Sequence, residues 1–124
     1  MLSARDYTEI VICKRLNKKK DDDLEVSNDD YNKARQRLDR LISFMANDNK
    51  IIGFDPEDLE GFFDMKLHQC LRRNVQYKNE FSYFAKTFES LVRDINRMLL
   101  RCEQRTYRDP IDDCMFWGET NKMF

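Results

Sequence analysis

Turn-forming residues are scarce in this chain. Three glycines and two prolines in 124 residues are too few for the many tight reversals of an all-β domain of that length. Its four cysteines, Cys13, Cys70, Cys102 and Cys114, include no Cys-x-x-Cys. They read as buried thiols of a reducing compartment and not as a disulfide framework. His68 is the only histidine. With Cys70, Cys102 and Cys114 it offers zinc-ligand types at spacings of no zinc motif, so no metal is expected. One imidazole also leaves little choice of general base near neutral pH. No Gly-rich phosphate loop, Ser-His-Asp set or His-Glu-x-x-His is present. The reading is non-enzymatic, with no catalytic residue, cofactor or small-molecule substrate.

Other absences narrow the class further. No apolar run approaches the ~20 residues of a membrane span, and no signal peptide is visible. Met1 to Arg5 resembles the start of an organelle leader, but Asp6 and Glu9 follow at once, and such leaders are poor in acids. An intracellular setting, cytoplasmic or nuclear, is expected. An excess of one charge sign is missing too. The net charge of −1 argues against a chain that coats nucleic acid or acidic membrane non-specifically. That neutrality sums opposed blocks: basic at Lys14–Lys20, acidic at Asp21–Asp30, basic at Lys33–Arg40, acidic at Asp55–Asp64, then basic again.

What the chain does have is helix punctuation. Ser3 precedes Asp6 by three residues, and Ser27 precedes Asp30, each a relative of the capping box. Asp55-Pro56 and Asp109-Pro110 repeat another device, an Asp cap followed by proline where a missing N–H costs nothing. Behind these starts run helical periods. Tyr7, Ile10, Val11, Cys13 or Lys14, and Leu16 make a weak stripe over about 4–18. Tyr31, Ala34, Leu38, Leu41, Ile42 and Met45 make a clean one over about 28–46. Leu59, Phe62, Phe63, Leu67, Cys70 and Leu71 share one side of a helix over about 56–73.

The longest element is expected over about 77–104, roughly 42 Å of helix. Phe81, Phe88, Ile95 and Cys102 recur every seventh residue, with Ala85, Val92 and Leu99 between them and Phe84, Leu91 and Met98 alongside. A seam this broad suits the middle of a bundle better than a two-stranded coiled coil. Its sister helices are shorter, so the far part of the rod should overhang them. Ile51-Ile52-Gly53-Phe54 is too short for a helix and should tuck beneath the bundle; pairing with Leu24-Glu25-Val26 as strands is the lesser alternative. A short last helix over about 110–117 should carry Met115, Phe116 and Trp117.

The predicted fold is one all-α domain over 1–124, a mostly antiparallel bundle of four helices, the fourth longest, plus a short C-terminal helix. Arg93, Arg97, Arg101 and Arg105 climb one face of the long helix. Like charges at i, i+4 repel by a few tenths of a kcal/mol each, so the ladder must be solvated, matched by Asp55–Asp64 or Asp109–Asp113, or turned to an acidic partner. With Phe116 and Trp117, side chains of the kind that anchor interfaces, these arginines form the candidate partner-binding set. The expected role is a structural or adaptor subunit acting through helix-mediated protein–protein interaction, in a larger assembly or a homo-oligomer. The alternatives are a nucleic-acid-binding module using the arginine face and a small regulatory inhibitor, viral in style, that masks a partner's groove.

Overall fold

The computed structural model describes residues 3–104. It is an all-α bundle of five helices: α1 (Ala4–Asn17), α2 (Asn28–Arg37), α3 (Asp39–Asp48), α4 (Pro56–Arg72) and α5 (Glu80–Gln104). The expected C-terminal helix over 110–117 lies outside the described residues.

The caps are where the sequence puts them. Ser3 Oγ accepts from the Asp6 N–H at 3.1 Å, and Ser27 Oγ from the Asp30 N–H at 3.1 Å. Asp55 precedes Pro56 and donates its N–H to Asp58 Oδ2 at 3.0 Å, with its own carboxylate completing the capping box. The start of α5 is corrected from Tyr77 to Glu80, because Asn79 caps it by accepting from the Ser82 N–H at 2.9 Å. The α4 terminus is a Schellman motif. Val75 N–H bonds the Cys70 carbonyl and Asn74 N–H bonds that of Leu71, which puts Asn74 at φ 50°. Asparagine tolerates that left-handed position better than most residues.

The single helix expected over 28–46 is broken. Leu38, at φ −101° and ψ 5°, ends α2 and precedes α3. The break carries no Gly or Pro. Leu38 is itself buried, and past it the chain turns so that α3 packs on both α4 and α5 while α2 packs on α4. Burial of one more apolar side chain at the bend favours the break over a straight rod.

α4 is the hub, touching each of the other four helices. Its expected stripe is the core face: Leu59, Phe62, Phe63, Leu67 and Cys70 are buried, and Leu71 is half-buried. Phe63 meets Phe88 of α5 with ring centroids 4.8 Å apart, and Cys70 lies beside Tyr83, so α4 and α5 run antiparallel. α1 does not follow that alternation. Arg5 reaches Asp58 at one end and Gln69 reaches the Arg15 carbonyl at the other, so α1 and α4 run in the same direction.

The weak first stripe resolves differently from its expectation. Ile10 is exposed, and the inner face of α1 is Tyr7, Thr8, Ile12 and Leu16. Thr8 can be fully buried because its hydroxyl donates to the Ala4 carbonyl at 2.8 Å, which satisfies the polar atom within its own helix. Ile51 and Phe54 are buried beneath the bundle as expected, while Ile52 points outward. They close a turn in which Phe54 N–H bonds the Ile51 carbonyl at 3.1 Å and Gly53 takes φ 88°, the sign pattern of a type II turn. Within the described residues Ile51 bridges to Phe54, not to Leu24–Val26.

Candidate interaction surfaces

The inner face of α5 is closed by the chain itself. Phe84, Phe88, Leu91, Val92, Ile95, Met98 and Leu99 are all buried. The overhang expected at the far part of the rod is therefore not found there. The uncovered seam residue lies at the opposite end, where Phe81 is 59% exposed. It sits on the same face as Phe88, two turns nearer the start of α5.

The arginine ladder stands on the other side. Arg93 is exposed and pairs with Glu89, one turn back, at 3.5 Å. Arg97 is exposed and makes no ion pair among the described residues, and Arg101 is half-buried. Leu100 interrupts this stripe: seven residues beyond Arg93 and three beyond Arg97, it is 56% exposed. Arg105, Phe116 and Trp117, the other members of the candidate set, lie outside the described residues. Further large apolar groups stand outward on separate elements, Phe44 on α3 at 66% and Ile52 in the turn at 83%.

Two acids of the Asp55–Asp64 block are engaged by arginines outside the ladder. Asp58 binds Arg5 at 3.1 Å, and Asp64 binds Arg35 at 2.6 Å. Arg5 also pairs with Glu9 and Asp6, donates from Nε to the Gly53 carbonyl at 2.8 Å, and lies over the Phe54 ring at 4.9 Å. It ties the start of α1 to the 51–54 turn and the start of α4. Burial raises the Asp64 carboxyl above the ordinary carboxylate value, against the pull of Arg35.

A second knot lies where α1 ends, and no sequence pattern announced it. The last carbonyls of a helix lack intrahelical partners. Here α4 supplies them: Gln69 Nε2 donates to the Arg15 carbonyl at 3.1 Å, and Arg72 Nη2 to those of Leu16 and Lys18 at 3.2 and 3.3 Å. The cation also sits at the negative end of the α1 dipole. Arg72 is buried, and its Nε lies 3.6 Å from Asp23, which is held in turn by the Lys20 N–H at 2.9 Å. Leu24 N–H then bonds the Arg72 carbonyl at 2.7 Å, so the basic and acidic connection after α1 is strapped along the end of α4.

His68 belongs to this neighbourhood. Its Nδ1 lies 3.0 Å from Arg72 Nη1 and its ring 5.7 Å from that of Tyr31. Arginine can only donate, so Nδ1 must accept, which fixes the neutral ring with its proton on Nε2. Burial, then the charges of Arg72 and Lys19, push its pKa below the ordinary value. Cys13 and Cys70 are free thiols, and Cys114 lies outside the described residues. Burial lifts the Cys70 thiol above its usual pKa despite Lys66, Tyr83 and Arg73. Among the described residues no three His, Cys, Asp or Glu side chains gather as a metal site, and no helix is long and apolar enough to cross a membrane.

With this geometry in hand, comparison outward adds no relative: no family model, curated protein or solved structure matches the chain.

Proposed function

We propose that this chain is a non-enzymatic interaction subunit that meets another protein chain through the outer face of α5. The observation that carries the reading is Leu100, an exposed apolar side chain set among Arg93, Arg97 and Arg101. Arginine beside an apolar anchor is the composition of protein interfaces, in which a desolvated centre supplies energy and charge supplies orientation. A surface that tracks single-stranded nucleic acid would interleave aromatic platforms with its cations, and this face has none. The reducing, intracellular setting is part of the same proposal and rests on the free thiols Cys13 and Cys70.

The test compares the full chain with Leu100→Asp and Arg97→Glu variants by light scattering over a concentration series and by crosslinking to partners captured from cells. Self-association or a crosslinked partner that both substitutions abolish supports the reading. A monomer whose captured set is unchanged by them removes it. Titration with duplex and single-stranded nucleic acid across a salt series serves the rival: affinity falling steeply with salt would replace the protein partner by a phosphate backbone.

A further inference from the structure

The connection over 18–24 is tied to α4 through Arg72. Apart from Asp23 its residues stand in solvent, Leu24 among them at 52% exposed, so apolar burial does little to keep it in place. The ties are polar. Arg72 Nη2 donates to the Leu16 and Lys18 carbonyls at 3.2 and 3.3 Å, the guanidinium faces Asp23 at 3.6 Å, and the Arg72 carbonyl accepts from the Leu24 N–H at 2.7 Å. The charge pair is imperfect. Asp23 Oδ1 and Arg72 Nε are both buried without a hydrogen-bond partner among the described residues, so their attraction does not fully offset the cost of taking two charges out of water. A segment with few buried contacts and a hold of this kind opens locally, at a free energy far below that of global unfolding.

A further contact of Arg72 gives that hold a trigger. Its Nη1 donates to His68 Nδ1 at 3.0 Å, and a guanidinium keeps its charge and its protons at any pH near neutrality. A proton taken from solvent onto Nδ1 turns that acceptor into a second donor and sets two cations against each other. The surroundings do not compensate. α2 brings Tyr31, with ring centroids 5.7 Å apart, the connection brings the like charge of Lys19, and on α4 itself Asp64, one turn before His68, is bound by Arg35 of α2 at 2.6 Å. We infer that His68 operates a latch: neutral, it helps to hold Arg72 and the 18–24 connection lies closed on the end of α4; protonated, it displaces Arg72 and the connection is released. Release also opens one wall of a recess of about 330 Å³, which Leu24, Glu25 and Val26 form with Leu71 and Asn74.

The test follows the His68 ring resonances and the hydrogen-exchange protection of the Leu24 amide, by NMR on the isotope-labelled full chain, from about pH 7.5 to about pH 5, either side of the ordinary histidine value. Protection, taken relative to the intrinsic exchange rate at each pH, should fall by about tenfold, the worth of one hydrogen bond from a charged donor. Its midpoint should match that of His68. The core amides of Phe63 and Phe88 should stay protected throughout. His68→Asn places an acceptor where Nδ1 stands and takes no proton, so Leu24 should remain protected at both ends of the range. If that variant does not fold, His68→Gln removes the same titration. Leu24 protection that is absent at the upper pH, or that survives unchanged to the lower one, overturns the latch, as does a fall that the variants share. Loss in step with the core amides overturns it too, because the whole bundle would then be opening at once.

Discussion

Arg72 and Arg97 are the same residue type on neighbouring helices, and they live in opposite worlds. Arg72 is buried, bonds the carbonyls of Leu16 in α1 and of Lys18 just past it, touches His68 and faces Asp23. Arg97 is exposed on α5 with no ion pair among the described residues. The difference teaches where this chain uses charge for architecture. Arg72, opposite the end of α1, is drawn inward; Arg93 and Arg97, which face only their own helix, remain outside.

The hardest blow to that contrast is Arg72→Ala. It removes the donor to the Leu16 and Lys18 carbonyls and the cation that faces Asp23, and a loss of about 3–5 kcal/mol is expected from denaturant unfolding, as when one member of a buried pair is removed. A loss within about 0.5 kcal/mol, the size of an ordinary surface change, would mean that Arg72 is no more structural than Arg97. Next comes Gly53→Ala, which tests the Arg5 knot. A β-carbon there would lie 2.9 Å from Arg5 Cγ, and the φ of 88° disfavours any side chain. About 1–2 kcal/mol should be lost, with Arg5 displaced from the Gly53 carbonyl.

Acid sharpens the comparison through two groups that arginines hold, His68 beside buried Arg72 and Glu80 beside exposed Arg37. His68 has a folded pKa below its unfolded value, burial being the first cause. Its contribution is present above about 6.5 and drains away as pH falls through the folded pKa, because the unfolded chain takes the proton first. Thermal midpoints should drop over that window, and His68→Gln should flatten the drop. Glu80, lowered chiefly by its bond to Arg37 at 2.9 Å, adds a second, smaller loss below about 4.3, which Arg37→Gln should remove. The smallest effect belongs to Arg97→Ala, expected within about 0.5 kcal/mol of native stability. A larger change would show that the ladder is architectural after all.

Much of this fold is legible in the one-dimensional pattern, and the reasons are local. Ser3, Ser27 and Asp55 announce helix starts because each cap is made within three residues of itself. The stripes of α4 and α5 are readable because a broad apolar face has one period and one destination. α1 is harder. Its inner face runs through Thr8, whose polarity hides it until the hydroxyl is seen bonded to Ala4, and Ile10 offers a false tooth on the other side. The bend at Leu38 has no Gly or Pro to mark it.

For the candidate surfaces the balance shifts. Arg93 and Arg97 could be placed on an outer face from spacing alone, and the exposure of Leu100 among them could not. The knot that Gln69 and Arg72 make at the end of α1 joins two helices, and no motif links its members. Sequence by itself determined where α1, α2 and α4 begin and which faces of α4 and α5 are oily, since those depend on neighbours three or four residues away. Only the tertiary structure decided that α1 lies parallel to α4, that α4 caps its end, and which arginines are turned inward. Those outcomes depend on contacts between residues some fifty positions apart, and a contact of that range is settled by packing the whole chain at once.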